Sequence, residues 1–360
     1  MRPILLSILL FVPLCAQDRF KEGLDHALEQ IVHDQNITGL AAGVVEDGRM
    51  VYARGFGVMK FDDPDKRITP QTLFHMASIT KPFVATSVMQ LWEQGKVDLD
   101  SPVTKYLPYF QLKDARYQSI TVRHMLTHTS GMPDVEDYLW NKPEYDDGAL
   151  ERYVRSLQHE KLLWGPGTTF AYSNMAYEVL GDLVAKVSDV SLEEYVDAHI
   201  LKPLGMSSST LLIKKADPAK LAAGHTKGKT GSVHVVKFYL YNRAHTPSSN
   251  LHSNVVDMAR WAMANLNRGE LDGQRILKSS TYEVMWKPVA ERTSTARVGI
   301  SWFLTEVNGQ RAVFHNGGDD GFRARLILFP TRKIAVVFMT NCDFGSLGAI
   351  DTTLMKIALE

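Results

Sequence analysis

Strand-like segments at both ends of the chain enclose a long helical middle, and this order limits the possible folds. Near the start, residues 39–45 and 50–53 are predicted strands joined by the hairpin turn Asp47-Gly48. Four more strand-like segments lie near the end, at residues 298–307, 313–315, 322–329 and 334–339. We therefore expect an α/β (α+β) fold, in which both ends form one antiparallel sheet flanked by helices.

The middle of the chain is predicted to be an inserted, all-helical lobe. Apolar side chains recur at helical spacing in several segments, at residues 120–126, 150–157, 176–187, 192–200 and 255–267. We place a sheet domain at residues 17–75 and 285–360, with helices at 18–35 and around Met355, and a helical domain at residues 76–284. The polar residues 62–71 are expected to form a loop. A cleft between two lobes often binds a ligand, so the active site is expected at their interface.

The charge balance of the chain excludes some classes of partner. The 360 residues include 40 basic and 40 acidic side chains, and 45% are hydrophobic. This balance leaves no basic surplus for nucleic acid. No stretch beyond the N-terminal segment is long and apolar enough to cross a membrane. We expect a globular protein with a small-molecule or peptide substrate, and its oligomeric state stays open.

The first 16 residues have the form of a signal peptide. Arg2 supplies a positive charge, residues 4–12 are apolar, and Ala16 is a small residue at the predicted cleavage site. Leu14 precedes Cys15 where a lipoprotein signal needs a small residue, which disfavours lipidation. Cleavage leaves Cys342 alone, so no intrachain disulfide is expected. We expect a periplasmic or secreted protein.

A serine and a lysine three residues apart open a strongly apolar helix. Ser78 and Lys81 lie at i and i+3, so they project from one face of that helix. A serine hydroxyl becomes a good nucleophile when a base takes its proton, and a desolvated lysine amine is such a base. No other serine of the sequence has a lysine three residues later. Ser78 is therefore the candidate nucleophile.

A second motif, Tyr172-Ser173-Asn174, follows a tight glycine loop and precedes a helix. A loop held in this way can present a phenol and an amide to a cleft. Tyr172 can relay a proton between nucleophile and leaving group, and Asn174 can orient a carbonyl or amide of the substrate. The alternative is that Ser173 or Asn174 only caps the following helix.

A third motif, His315-Asn316-Gly317-Gly318, follows a predicted strand. Paired glycines let a backbone approach a ligand closely. The N–H of Gly318 can then serve as a second oxyanion donor beside the N–H of Ser78. The alternative is a hairpin turn of the Asn-Gly type in which His315 has no role.

In combination, these motifs resemble the serine β-lactamase and penicillin-binding-protein-like superfamily, nearest its class C-like branch. That branch also contains D-aminopeptidases, DD-carboxypeptidases and β-lactamase-like esterases. The resemblance covers nearly all of the mature chain and rests on five segments, residues 74–81, 125–131, 172–174, 203–206 and 315–322. It implies a β-lactamase/transpeptidase-like fold and a serine hydrolase that cleaves an ester, amide or peptide bond.

The resemblance also implies a role for each matching residue. Ser78 would be the acylated nucleophile, and Lys81 and Tyr172 would share the general base and acid work. Asn174 would touch the acyl side chain of the substrate. The backbone N–H groups of Ser78 and Gly318 would form the oxyanion hole.

The third motif departs from the family pattern in a way that affects the substrate. His315, Asn316 and Gly317 are expected substrate contacts, but they stand where the family often has Lys-Thr-Gly. Histidine is only partly charged near neutral pH, so the fixed cation for a substrate carboxylate is missing. Arg323 and Arg325 are candidate replacements. This departure favours an esterase or D-amino-acid peptidase, with a true β-lactamase as the alternative substrate class.

The sequence fits other classes of function less well. A non-catalytic member would use the cleft only to bind peptidoglycan or a partner, but the intact Ser78, Lys81 and Tyr172 favour an enzyme. His124 and His128 have i,i+4 spacing but lack the glutamate of a zinc protease motif, which favours a structural role for His128. The sequence contains no Gly-x-Ser-x-Gly elbow and no phosphate-binding glycine loop. We therefore predict neither a metal nor a cofactor.

Overall fold

The computed structural model of the chain describes residues 14–359, which form a nine-stranded antiparallel sheet with helices on both faces. The strands of the chain are β1 Gly39–Glu46, β2 Arg49–Lys60, β3 Asp63–Arg67, β4 Phe74–His75, β5 His225–Lys227, β6 Val233–Val235, β7 His252–Ser253, β8 Glu270–Leu271, β9 Gln274–Arg275, β10 Ala290–Thr293, β11 Ala296–Val298, β12 Phe303–Val307, β13 Gln310–Asp319, β14 Phe322–Phe329 and β15 Ile334–Thr340. The large sheet has the order β10-β11-β12-β13-β14-β15-β1-β2-β3. The other strands form the pairs β4–β7, β5–β6 and β8–β9.

The helices lie on both sides of this sheet and in the segment between its two parts. They are α1 Leu14–Asp34, α2 Thr80–Glu93, α3 Val122–Leu126, α4 Ala149–Ser156, α5 Asn174–Ser188, α6 Leu192–Val196, α7 Thr246–Ser249, α8 Val255–Leu266, α9 Thr281–Met285 and α10 Leu347–Leu359. A 3₁₀ turn, Ala77–Ile79, immediately precedes α2. This turn contains Ser78, so the candidate nucleophile lies between the sheet and the helical segment.

The core consists of two apolar clusters, one on each face of the sheet. Successive side chains of a strand point to opposite faces, and β13 shows this alternation. Val313 joins the cluster that contains α2, α5 and α8, whereas Phe314 joins the cluster that contains α1 and α10. The helical middle of the chain is therefore packed against one face, and the two terminal helices cover the other.

The predicted fold class is confirmed by the sheet order. β15, from the end of the chain, pairs antiparallel with β1, from its beginning. The helices predicted along the middle correspond to α3, α4, α5, α6 and α8, and the closing helix corresponds to α10. α8 falls within the range assigned to the helical domain but packs on β1 and β15. The domain boundaries at residues 76 and 284 stay a prediction.

Two segments differ from the sequence-based expectation. The expected loop at residues 62–71 contains β3, whose largely exposed side chains gave no apolar alternation at the edge of the sheet. The expected single strand at residues 298–307 is broken between β11 and β12, where Ser301 has a φ of 66°. The N–H groups of Ile300 and Ser301 donate to Met285 and Leu126 in the helical part. Contacts from distant residues therefore interrupt this strand.

Most of the predicted signal peptide, at residues 1–13, lies outside the described residues. The signal peptide and the export that it implies stay predictions. Among the helices within residues 14–359, none has both the length and the apolarity that crossing a membrane requires.

Candidate active site

Ser78 lies in the 3₁₀ turn rather than in the first turn of the α-helix, which begins at Thr80. The preceding residue, Ala77, has a φ of 46°, in the left-handed region that side chains with a Cβ rarely adopt. The Thr80 hydroxyl donates to the Ala77 carbonyl at 2.7 Å and accepts from the Leu251 N–H at 2.9 Å. Thr80, which the sequence motif did not single out, thus holds a strained turn that leaves Ser78 partly exposed.

Lys81 is fully buried, and its amine has three hydrogen-bond partners. Nζ donates to Ser78 Oγ at 3.0 Å, to Asn174 Oδ1 at 2.5 Å and to the Ser248 carbonyl at 2.8 Å. The last two partners are oxygens that only accept, whereas a hydroxyl both donates and accepts. When the amine is neutral, its lone pair must therefore face the hydroxyl of Ser78.

The pKa of Lys81 lies close to the range in which a base is useful. Burial lowers it to about 8, and the negative charges of Glu178, Asp134 and Asp319 partly oppose that shift. Glu178 is fully buried behind the amine, where its Oε1 accepts from the Ser248 hydroxyl at 2.6 Å. No sequence motif pointed to Glu178, since it approaches Lys81 only through the packing of α5 on α2.

Asn174 has both ends of its amide engaged by the protein. Its backbone N–H and its Nδ2 each donate to Asp134 Oδ1 at 2.8 Å, which directs the amide oxygen to Lys81. Ser173 caps α5, because its hydroxyl accepts from the Ala176 N–H at 3.1 Å. The capping alternative is thus correct for Ser173, while Asn174 orients the amine. A contact of Asn174 with substrate stays a prediction.

Tyr172 lies against the same amine. Its ring stacks on His128 with centroids 4.3 Å apart, and Lys81 Nζ is 5.1 Å from its centre. Burial raises the pKa of the Tyr172 phenol well above its ordinary value, and a hydrogen bond with Ser78 opposes this only in part. His128 is buried and accepts from the Ser173 N–H at 3.2 Å, and burial holds its pKa well below the usual range. The phenol is therefore protonated at neutral pH beside a neutral imidazole.

The strand that carries the third motif has an open edge beside Ser78. β12 pairs with β13 only up to Phe314, so among residues 14–359 the segment 315–319 of β13 has a strand partner on one side only. Asp319 pairs with Phe322 across a two-residue turn, and the N–H groups of an antiparallel strand alternate in direction. This register points the N–H of Gly318 to the open edge. The expected alternative, a hairpin turn at Asn316-Gly317, is wrong because the strand continues through it.

Gly317 lets β13 approach the turn that carries Ser78. A Cβ at this position would lie 2.1 Å from the carbonyl oxygen of Met76. Such a contact is impossible without a backbone shift, so only glycine fits between the strand and the turn. The close approach at Gly317 is thus made to a neighbouring backbone, and the predicted approach of these glycines to a ligand stays a prediction.

His315 is buried and neutral, contrary to the expectation of partial charge. Its ring stacks on Phe303 at 5.1 Å, and burial beside the charge of Lys81 lowers its pKa to about 3. Asn316 points to the opposite face of the sheet, where its Oδ1 accepts from Arg325 at 3.2 Å. The side chain of Asn316 is therefore not brought to the cleft.

Both expected replacement cations are engaged by other groups of the protein. Arg323 donates to the carbonyls of Asp319 and Phe322 at 2.6 and 2.7 Å, and Arg325 pairs with Asp351 of α10 at 2.9 Å. Arg292 of β10 places its guanidinium 4.2 Å from the centre of the Phe303 ring, which stacks on His315. Its charge contributes to the low pKa of both His128 and His315. Arg292 was not among the candidate residues, because no strand was predicted at β10.

A cavity of about 620 Å³ adjoins Gly318. Two aromatic rings form part of its wall, since Tyr138 and Trp140 stack with centroids 4.7 Å apart. Its lining includes Arg323 and four carboxylates, those of Glu136, Asp137, Asp319 and Asp320. Within the described chain, none of the four forms an ion pair with lysine or arginine. A larger cavity of about 740 Å³ beside α1 and β2 contains none of the candidate catalytic residues.

Comparison with known proteins agrees with this fold. A family model described as Beta-lactamase matches residues 24–360. The penicillin binding protein from Bacillus halodurans has a similar structure, with a TM-score of 0.76 and 27% identity, and the match covers 92% of this chain and 99% of that one.

Two curated relatives match most of this chain but extend beyond it. Protein flp of Staphylococcus aureus strain MW2 is 28% identical over 330 residues, which is 90% of this chain and 63% of the relative. Unguisins hydrolase ungD' of Aspergillus campestris strain IBT 28561 is 27% identical over 349 residues, with 91% and 63% covered. The chain thus spans less than two thirds of the length of these relatives.

Proposed function

The chain belongs to the beta-lactamase family, and on that premise we propose that it is a serine hydrolase that cleaves an ester or amide through an acyl-enzyme on Ser78. The observation that carries the proposal is the environment of Lys81. Its buried amine has a pKa of about 8, and its only partner able to donate a proton is the hydroxyl of Ser78. One relative, unguisins hydrolase ungD', is named as a hydrolase, which supports the same class of reaction.

Acylation follows from the positions of four groups. Neutral Lys81 accepts the Ser78 proton while Oγ attacks the substrate carbonyl carbon and forms a C–O bond. The N–H groups of Ser78 and Gly318 stabilise the resulting oxyanion. The tetrahedral intermediate collapses, the bond to the leaving group breaks, and protonated Tyr172 supplies the proton that the leaving group takes. Lys81 then returns a proton to the phenol.

Deacylation uses the same groups in reverse order. Water attacks the acyl carbon while its proton passes to Lys81, directly or through Tyr172. The bond between Ser78 Oγ and the acyl carbon then breaks, Lys81 returns the proton to Oγ, and the carboxylic acid is released. The raised pKa of Tyr172 makes it a poor phenolate base but a suitable proton relay. Lys81 is therefore assigned as the base and Tyr172 as the acid of the first step.

The charges around the cleft support a substrate whose acyl group is neutral or positively charged. Tyr172 stacks on His128 on the side of His315, so the leaving group departs on that flank. The acyl group then extends past Gly318 into the cavity, which is lined by stacked aromatic rings and by four carboxylates against one cation, Arg323. Carboxylates repel an anionic acyl group, and aromatic faces attract an ammonium. On the leaving-group flank, Arg292 offers the cation that His315 lacks.

The test compares three 4-nitrophenyl esters of equal acyl length. One acyl chain ends in a trimethylammonium group, one in its tert-butyl isostere and one in a carboxylate. We expect kcat/KM to be highest for the cation, about 3- to 10-fold above the isostere, and lowest for the anion, with differences that shrink in high salt. Ser78→Ala is expected to lose all turnover. Turnover that survives in Ser78→Ala, or an anionic ester that is preferred, would contradict the proposal.

A further inference from the structure

One carboxylate oxygen joins three segments that surround Ser78. Asp319 is the last residue of β13 and directly follows Gly318. Its Oδ2 accepts from His75 Nε2 at 2.8 Å and from Ser249 Oγ at 2.5 Å. These two donors lie 244 and 70 residues away in sequence, so the carboxylate links separate parts of the chain.

Each donor adjoins a segment with a catalytic group. His75 ends β4, and the turn that contains Ser78 begins two residues later. Ser249 ends α7, and the carbonyl oxygen of the preceding residue, Ser248, accepts a hydrogen bond from Lys81. The three segments joined at Asp319 thus hold the nucleophile, a partner of the base and the candidate oxyanion donor.

The imidazole of His75 is buried and closely packed by its neighbours. It is 1% exposed, and three rings surround it, those of His252 at 5.6 Å, Phe322 at 5.7 Å and Trp140 at 6.4 Å. A carboxylate only accepts, so Nε2 must carry the proton that it donates to Asp319. The donor is therefore fixed in position and in direction.

We propose that Asp319 is a positioning residue, which holds the N–H of Gly318 at a set distance from Ser78 through its bonds to His75 and Ser249. The inference rests on the proposed acyl-enzyme, because that N–H would bind the oxyanion formed there. Oxyanion donors act only over a narrow range of distance, and a shift of about 1 Å lowers the rate on the order of 100-fold. Loss of the hydrogen bonds to His75 and Ser249 frees the end of β13, whose other edge has no strand partner among the described residues.

The test uses uncharged 4-nitrophenyl butyrate, so that the charge of the cavity has little effect on binding. Asp319→Ala removes both hydrogen bonds, whereas Asp319→Asn keeps an oxygen that accepts them. Ser249→Ala removes one donor and leaves the charge of Asp319 unchanged. The matched control is Asp182→Ala, which removes a buried carboxylate that accepts from the Tyr109 hydroxyl at 2.7 Å, about 12 Å along α5 from its N-terminus.

We expect Asp319→Ala to lower kcat about 10- to 100-fold with KM within about threefold, and Asp319→Asn to stay within threefold of wild type. Ser249→Ala is expected between the two, and Asp182→Ala near wild type. Hydrogen exchange of the Gly317 and Asp319 amides, which pair with β14, should accelerate in Asp319→Ala alone. A wild-type kcat and a wild-type exchange rate in Asp319→Ala would contradict the positioning role of Asp319. An equal loss of kcat in Asp319→Asn would contradict it as well. If the wild-type protein shows no Ser78-dependent turnover, the proposed function is contradicted instead. The comparison of hydrogen exchange then still tests whether Asp319 holds the end of β13 in place.

Discussion

Lys81 combines complete burial with three nearby carboxylates, and the balance between them sets its pKa. Burial disfavours the ammonium, and the charge of Glu178 is the largest of the opposing influences. This balance determines how much neutral base is present at a given pH. The ascending limb of the pH profile of kcat/KM, which reflects deprotonation of Lys81, should therefore rise near pH 8. Removal of the Glu178 charge should shift that limb.

Glu178→Gln is expected to move that limb of kcat/KM to lower pH by about half to one pH unit. The substitution removes a negative charge that stabilises the ammonium, so the pKa of Lys81 falls further. The glutamine oxygen still accepts from the Ser248 hydroxyl. Glu93→Gln, at the far end of α2, is the control and should leave the limb in place. A limb that stays or moves to higher pH in Glu178→Gln would refute this account of Lys81.

Tyr172→Phe is expected to lower kcat/KM about 10²- to 10³-fold for an ester, because the leaving group loses its proton donor. Tyr177→Phe is the matched control, since Tyr177 is also buried near Lys81 but donates to the Leu126 carbonyl at 3.0 Å. That control should lose about 1 kcal/mol of unfolding free energy and keep its activity. Equal activity losses in both variants would contradict the specific role of Tyr172.

The sequence identified the candidate reacting residues better than the residues that support them. Ser78, Lys81 and Tyr172 lie in recognisable motifs, and the structure brings them together. Thr80 and Glu178 carry no such signal, because their contacts come from chain segments that approach only after folding.

At the scale of elements, the approach of β13 to the 3₁₀ turn controls the site. Gly317→Ala places a Cβ 2.1 Å from the Met76 carbonyl oxygen, so the strand and the turn must separate. We expect a loss of about 1–3 kcal/mol in the free energy of unfolding and a larger loss of activity than of stability, because Gly318 moves with the strand. Urea unfolding and ester turnover measure the two effects.

Gly23→Ala in α1 is the matched control for that substitution. A Cβ at this position meets no atom within 4 Å, so alanine should be neutral or slightly stabilising, by up to about 1 kcal/mol. A Gly317→Ala variant with wild-type activity would show that the strand does not need this close approach.

Elements were predictable where the pattern of apolar residues reflects local burial. β1, β14 and β15 are almost completely buried, and the sequence marks all three. β3 is polar and is a strand only because β2 pairs with it. The break at residues 299–302 arises from hydrogen bonds to Leu126 and Met285, and no local pattern encodes them.

At the scale of the whole molecule, one apolar cluster spans the predicted domain boundary. Phe83 of α2, Trp261 of α8 and Val337 of β15 belong to the same core. We therefore expect cooperative unfolding in urea, with coincident transitions by tryptophan fluorescence and far-UV circular dichroism. Two separated transitions would show that the sheet and the helical middle fold independently.

The order of elements predicted the sheet architecture, since strands at both ends of the chain must pair to bury their apolar faces. The same order does not specify which charges line the cleft. Those charges depend on residues 134–140 and on β10, whose positions follow from packing alone.

The acyl-enzyme on Ser78 is the central claim, and mass spectrometry of the digested, acid-quenched protein tests it most directly. The protein is mixed with a neutral 4-nitrophenyl ester, quenched in acid within seconds and digested. We predict a mass increase equal to the acyl group on the peptide that contains Ser78, formed faster as pH rises through about 8 and absent in Ser78→Ala. Ester turnover without that adduct under any quench time, or an adduct on another residue, would contradict the account.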